Sequence, residues 1–159
     1  MCGVEPLDRY LCQQANQDKK RYVSATFILT EVDSIAVVLG YYTLSATSVE
    51  LRNIPENLQK KLPKYPILPA TLLGRLAVDC KFQRKGLGEL LLMDALKRSL
   101  NLSHSVASMA VVVDAKDAAA INFYKNYGFM LFSESANRLF LPMSAIQKIP
   151  SMSSQLVEA

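Results

Sequence analysis

Leu73-Gly74-Arg75-Leu76-Ala77-Val78-Asp79, followed closely by Gln83-Arg84-Lys85-Gly86-Leu87-Gly88, decides how this chain is read. The first stretch is apolar and reads as a strand over 72–79. The second is a basic, glycine-bearing turn that opens a helix over 86–100. That helix turns Leu87, Leu91, Leu92, Ala95, Leu96 and Leu100 to one side and Glu89, Asp94, Lys97 and Arg98 to the other. Gly86 and Gly88 have no Cβ, so backbone N–H groups there can approach a ligand closely. The helix start adds unpaired amides and the positive end of its dipole. Arg84 and Lys85 add full charges beside them. Together these features form a phosphate cradle.

Three kinds of cradle compete. A P-loop requires Gly-Lys-Ser/Thr, but Gly88 is followed by Glu89 and Leu90. A dinucleotide fingerprint requires a third glycine, and position 91 is Leu. The pattern that remains is Gln/Arg-x-x-Gly-x-Gly/Ala, which Gln83 to Gly88 fits. It resembles the pyrophosphate-binding motif of the GNAT superfamily of acetyl-CoA-dependent N-acetyltransferases. A second stretch agrees. Ala110-Val111-Val112-Val113 reads as a buried strand within 107–114, and Asp114 and Asp117 are candidate N-caps for a helix over 117–127. Then Ala118 to Phe129 carries Ala-x-x-Phe-Tyr-x-x-x-Gly-Phe, similar to the GNAT segment in which a helix ends at glycine. Gly128 is the expected C′ residue.

A narrower resemblance covers most of the chain. Cys2-Gly3, Pro6-Leu7-Asp8-x-Tyr10-Leu11, Thr26-Phe27, Gly40-Tyr41-Tyr42-Thr43-Leu44-Ser45 and Leu62-Pro63-x-Tyr65-Pro66-x-x-Pro69-Ala70 precede the Leu73–Asp79 stretch. Together they resemble the toxin branch of toxin–antitoxin acetyltransferases. Those toxins acetylate the amino group of aminoacyl-tRNA and halt translation. Their antitoxins are ribbon-helix-helix proteins that also bind DNA.

The resemblance implies an α/β (α+β) fold of the GNAT type, with a central mixed, mostly antiparallel sheet flanked by helices. It implies a first strand ahead of Cys2-Gly3, so that strand is expected to be missing from one sheet edge. It implies acetyl-CoA as co-substrate and no metal. Backbone N–H groups of Leu76, Ala77 and Val78 would hold the pantetheine and the thioester oxygen. Gln83, Arg84, Lys85, Gly86, Leu87 and Gly88 would hold the CoA phosphates, with Asn122 in the same binding set. Asp117 stands where wider GNAT motifs carry asparagine. Tyr124 matches the general acid, and Tyr127 reads as structural. The implied partners are an aminoacyl-tRNA, a ribbon-helix-helix antitoxin, DNA through that antitoxin, and a second copy of the chain.

The residues themselves favour this chemistry. A phenol with a pKa near ~10 stays protonated at neutral pH and can donate to a developing thiolate. No carboxylate or histidine reads as a general base, since Asp79 reads as the cap of the turn. An α-amino group, near ~8, is partly neutral without a base, whereas a lysine side chain near ~10.4 is not. Two other functions fit the same residues: acetylation of a small amine or protein terminus, and a truncated, inactive CoA- or antitoxin-binding remnant. Arg75 has two readings, a phosphate-binding side chain in the substrate groove or a partner of Glu or Asp inside the sheet.

Composition bounds the rest. At 159 residues, half of them hydrophobic, the chain suits one domain, expected over 1–148 with a mobile tail over 149–159. No apolar run reaches the ~20 residues that span a bilayer, and Met1 to Pro6 lacks a signal peptide's basic and apolar regions, so a cytoplasmic protein is expected. Cys2, Cys12 and Cys80 are odd in number and widely spaced, and His104 is the only histidine, which disfavours a disulfide framework or a metal site. The net charge of +4 gathers at Lys19-Lys20-Arg21, at Lys60-Lys61 with Lys64, and around the cradle. The first two groups suit either a solvated face or an RNA backbone. A helix over 5–18, two strands over 24–31 and 35–48, a short helix over 55–62, a proline-rich loop over 63–70, and two strands near 129–134 and 138–143 complete the expected order.

Overall fold

Pro69 does not interrupt the strand that leads to the cradle. In the computed structural model, which describes residues 1–153, this strand runs Ile67–Val78. It therefore begins inside the stretch expected to be a loop. The N–H and C=O of one strand residue point to the same side. The Pro69 carbonyl accepts from the Met109 N–H at 2.9 Å, so the donor that proline lacks faces the chain ahead of a strand that starts only at Ala110. No ladder bond is lost, and Leu68 and Ala70 alternate into a core.

The strands are β1 (Ala25–Glu31), β2 (Ser34–Glu50), β3 (Ile67–Val78), β4 (Ala110–Asp114), β5 (Met130–Leu131) and β6 (Arg138–Pro142), bonded in the order β1-β2-β3-β4-β6-β5. The helices that flank them are α1 (Glu5–Arg9), α2 (Ala15–Lys20), α3 (Glu56–Gln59), α4 (Leu87–Ser103), α5 (Ala118–Asn126), α6 (Met143–Gln147) and α7 (Pro150–Ser153). β1 pairs antiparallel with β2, with Phe27 opposite Tyr42. β6 pairs antiparallel with both β4 and β5. β2 and β3 are antiparallel too, since Asp79 donates to Leu39 and Leu51 donates to Pro66. β3 and β4 start side by side at Pro69 and Met109 and so run parallel, with α4 in the crossover between them. This is the mixed, mostly antiparallel sheet that the sequence led us to expect.

Three elements differ in length from expectation. The helix over 55–62 is only α3, after which the chain continues in turns, with Lys61 donating to Leu58 and Leu62 to Gln59. β5 ends early because the chain turns tightly through Glu134, at φ 63, where the Ser135 hydroxyl accepts the Arg138 N–H at 2.9 Å. The first helix extends to Lys20, with a π-helical turn over Tyr10–Gln14 between α1 and α2. Of the tail expected from Ile149 onward, α7 forms the start and buries Met152; residues 154–159 lie outside the described part.

The chain divides into two compact units. The first comprises Met1–Ser45 and Leu73–Ala95. Its core gathers Tyr10, Ala15, Tyr41 and Ala77, with Cys2, Leu7 and Leu11 packed against them. The second comprises Ala46–Leu72 and Leu96–Ala159, with Val49, Ile54, Leu68, Ala70, Ala110, Val112, Phe132 and Phe140 at its centre. Among the described residues no helix is long and apolar enough to cross a membrane.

Gly40 decides how closely β2 approaches β3. A Cβ there would lie 2.7 Å from the Ala77 carbonyl oxygen and 2.8 Å from Leu91 Cδ1. Backbone cannot swing aside as a side chain can. Gly40→Ala is expected to cost about 1–3 kcal/mol and to lower the melting temperature by roughly 5 °C, read by thermal circular dichroism. An unchanged melting temperature would mean that the two strands separate at little cost.

Candidate functional site

The cradle is built as its glycines require. Arg84 and Gly86 have positive φ, 60 and 80. Left-handed residues alternating along a turn aim successive N–H groups into one concavity. The Gly86 carbonyl accepts from Leu90 at 3.1 Å, which makes Gly86 the helix cap and leaves the amides of Leu87, Gly88 and Glu89 without helical acceptors. A Cβ added to Gly86 would meet nothing within 4 Å, so the space above it is open to a ligand. Arg84 and Lys85 are exposed around it, and Lys85 Nζ lies 5.3 Å from the Phe82 ring centroid.

The end of β3 offers donors selectively. Asp79 donates to Leu39 in β2 at 2.8 Å. The buried positions of β3 shift phase by one residue between Ala70 and Leu73. Beyond that shift peptides alternate back from Asp79, so Ala77 faces β2 as well, and its carbonyl is the atom nearest Gly40. The peptides of Leu76 and Val78 turn away from β2. Leu76 and Val78 therefore remain as candidate donors for a thioester oxygen; Ala77, expected in the same role, does not, because its peptide is directed at a neighbouring strand.

Gln83 also differs from expectation. Its side-chain amide donates to the carbonyls of Cys2 at 3.0 Å and Val78 at 3.1 Å. This side chain braces the turn, so only its backbone is left for a phosphate. Asp79 caps the turn as expected, accepting from the Lys81 N–H at 2.9 Å. The Met1 ammonium bonded to it, together with the Lys81 amide, holds its carboxyl below the usual carboxylate value, which makes it a poor base.

Tyr124 and Asn122 belong to the second unit. Asp117 is the N-cap of α5 and accepts from Ala120 at 2.8 Å. Asp114, the other candidate cap, instead faces Arg138 across the β4–β6 pair at 3.7 Å. At the far end, Gly128, with φ 92, donates to Lys125, and Phe129 donates to Tyr124. This is a Schellman cap, with its apolar contact made by the Tyr124 and Phe129 rings, 5.3 Å apart. Phe123 packs edge-on against Tyr124 and Tyr127. The cap therefore fixes Tyr124 by its ring and its carbonyl and leaves the hydroxyl uncommitted. The residue is 8% exposed, and burial pushes its phenol up to about 12. Asn122 is exposed on α5.

Arg75 is paired with no carboxylate among the described residues. Its guanidinium lies over the Tyr10 ring, Cζ 3.5 Å from the centroid. Neither the Gln83 brace nor the Arg75–Tyr10 stack was foreseen, since each joins residues far apart in the chain. The periodicity of the first helix does place Tyr10 on a buried face, and that is the one signal the sequence offers.

Comparison with known proteins agrees with this geometry. A family model described as an acetyltransferase (GNAT) domain matches residues 69–146. A tRNA-acetylating toxin of Mycobacterium tuberculosis is 33% identical over 141 residues, covering 89% of this chain and 82% of that protein. A crystal structure of a Tyr-to-Phe mutant of KacT superposes with a TM-score of 0.87 at 32% identity, over 92% of this chain and 87% of that one. AtaT complexed with acetyl-methionyl-tRNAfMet gives a TM-score of 0.86 at 33% identity, with coverages of 92% and 87%. Further AtaT structures contain acetyl-CoA, the antitoxin AtaR, or DNA together with AtaR, with TM-scores of 0.80 and 0.73 for the acetyl-CoA and DNA complexes.

Burial of Tyr124 has a spectroscopic consequence. A raised pKa keeps the neutral phenol dominant as pH rises through the ordinary value near ~10. The difference between the ultraviolet titrations of wild type and Tyr124→Phe is expected to show one tyrosine ionising only near pH 12. A difference centred near pH 10 would mean that water reaches the hydroxyl freely.

Proposed function

The chain belongs to the GNAT acetyltransferase family, and on that premise we propose that it transfers the acetyl group of acetyl-CoA to the α-amino group of an aminoacyl-tRNA, blocking translation as a toxin. The observation that carries this reading is the resemblance over most of the chain to a tRNA-acetylating toxin and to AtaT bound to an acetylated aminoacyl-tRNA. Residues 1–148 act in this reading as one acetyltransferase domain in the cytoplasm. The antitoxin is a ribbon-helix-helix protein that carries the complex to DNA, and the toxin is a homodimer; structures of AtaT with AtaR and DNA support the antitoxin part.

In the proposed mechanism the cradle from Gln83 to Gly88 binds the CoA phosphates through backbone N–H groups and the charges of Arg84 and Lys85, with Asn122 contributing from α5. The N–H groups of Leu76 and Val78 bind the thioester oxygen and stabilise the oxyanion formed when the amine attacks. The C–S bond then breaks, the amide forms, the nitrogen loses a proton, and the thiolate gains one. A thiol near ~8.5 is a stronger acid than a phenol near 12. Full transfer from Tyr124 is therefore uphill. Donating a hydrogen bond to the sulfur as its charge grows carries no such cost. Tyr124 accordingly stabilises the leaving thiolate, and the proton that neutralises it comes from the substrate's own ammonium. No base is required, because the α-amino group is partly neutral near neutral pH.

Purified protein, radiolabelled acetyl-CoA and a pool of aminoacylated tRNA test the reading. Label is expected in the RNA fraction with wild type, and at least ~100-fold more slowly with Tyr124→Phe, which retains acetyl-CoA affinity. Gly86→Val is expected to lose that affinity, because it forces a β-branched residue to φ 80 and fills the cradle. Label that never enters RNA while acetyl-CoA still binds would redirect the activity to a small amine or a protein terminus. The rate of transfer should rise with pH through the amine's pKa and then level off, because Tyr124 stays protonated well beyond it. A descending limb below pH ~10 that Tyr124→Phe removes would contradict the buried phenol.

A further inference from the structure

We propose that Arg75 binds a backbone phosphate at the aminoacylated end of the tRNA, in a cavity beneath the first helical segment. This assignment rests on the functional reading above and adds a specific substrate contact to it.

The cavity has a volume of about 560 Å³, and Arg9, Tyr10, Gln13, Gln14 and Arg75 are among its lining residues. Sites that hold a small organic group fall in this size range. Its geometry depends on the π-helical turn, in which Ala15 donates to the Tyr10 carbonyl. The widened turn points Tyr10 inward and leaves the Gln13 carbonyl to accept from the Gln17 side chain at 3.1 Å. Tyr10 is then held from several directions. It is 5% exposed, its hydroxyl donates to Asp18 at 3.1 Å, and its ring stacks on Tyr41 at 6.4 Å. The Tyr41 hydroxyl in turn donates to the Leu7 carbonyl at 2.7 Å. Arg75 lies flat on this fixed platform.

Stacking holds the plane of a guanidinium but satisfies none of its N–H groups. The acidic groups nearby are already engaged. Glu5 bonds Arg9 at 2.6 Å, so their charges cancel at the rim. Asp18 accepts from Tyr10 and from Gln14 at 2.9 Å. It feels the Arg75 charge, but no ion pair between the two is formed. Arg75 thus presents a pre-oriented fork of donors to the cavity, with no carboxylate in ion-pair contact with it among the described residues. Such a fork matches an oxyanion with two oxygens in a plane.

Position selects phosphate as the ligand. Side chains at i and i+2 share a face of a strand, so Arg75 and Ala77 both face the helical segment. Arg75 directly precedes Leu76, whose peptide turns toward the proposed thioester site. In an aminoacyl-tRNA the phosphate nearest the amine is that of the terminal nucleotide. A side chain one residue from the oxyanion donor is placed to grip it and to hold the amine against the thioester.

The test is binding of intact charged tRNA, and separately of uncharged tRNA, to the full chain at several salt concentrations. Arg75→Gln is expected to weaken binding roughly tenfold or more and to reduce the slope of log affinity against log salt by about 0.7–0.9. Its acetyl-CoA affinity and circular dichroism serve as folding controls. Arg75→Lys keeps the charge without the fork, so it should retain the slope and bind more weakly than wild type; should the glutamine variant not fold, this variant decides alone. Wild-type affinity with an unchanged slope in Arg75→Gln would overturn the assignment while leaving the acetyltransferase reading intact, and is the result expected if Arg75 grips an acidic protein segment instead. Wild-type protein that binds no tRNA would overturn the functional reading and this contact together.

Discussion

The last residues of β3 are held differently on their two sides, and the chemistry of the first unit depends on that asymmetry. On one side, Asp79 bonds Leu39 and the Ala77 carbonyl presses against Gly40. On the other, the peptides of Leu76 and Val78 turn away from β2, and the Val78 carbonyl is taken by Gln83. A strand anchored along one edge is stiff enough to present N–H groups in a fixed geometry, and donors that need no reorganisation are the ones that stabilise an oxyanion well. Gln83 ties this strand end to the turn ahead of α4, so the two form a single braced segment.

A similar economy marks the second unit. The cap that ends α5 uses the Tyr124 carbonyl for its hydrogen bonds and the Tyr124 ring for its apolar contact. The residue proposed as the hydrogen-bond donor is thus also part of helix termination, and its hydroxyl takes no part in the cap itself. Burial that fixes the ring also raises the phenol's pKa, which favours hydrogen-bond donation over proton release. The same packing that stabilises the helix end thereby sets the acidity of the phenol.

The first helical segment shows why charge count alone misleads. Glu5 pairs with Arg9, while Asp18 accepts hydrogen bonds from the neutral side chains of Tyr10 and Gln14. Arg75, from a strand far along the chain, adds its positive charge to the cavity that this segment lines. A π-helical turn, invisible as a period in the sequence, shapes the cavity that it faces.

Local chemistry made much of this legible from the sequence. Glycines and basic residues ahead of an amphipathic helix announced the tight, open turn over Arg84 and Gly86, since glycine admits positive φ without a Cβ to fill the space. Asp117 and Gly128 announced the two ends of α5, since cap residues act within a turn of their own position. The alternation of β1 and β2 and the apolar run of β4 announced strands, since burial imposes those patterns. Pro69 misled the boundary of β3, because whether a missing N–H matters depends on what lies beside it. Which β3 peptides are spent on β2, that the Gln83 side chain braces the turn, and that Arg75 lies on Tyr10 instead of pairing with a carboxylate were decided by tertiary structure. Each is a contact between segments distant in sequence, and no periodicity or local propensity encodes which partner a side chain will meet.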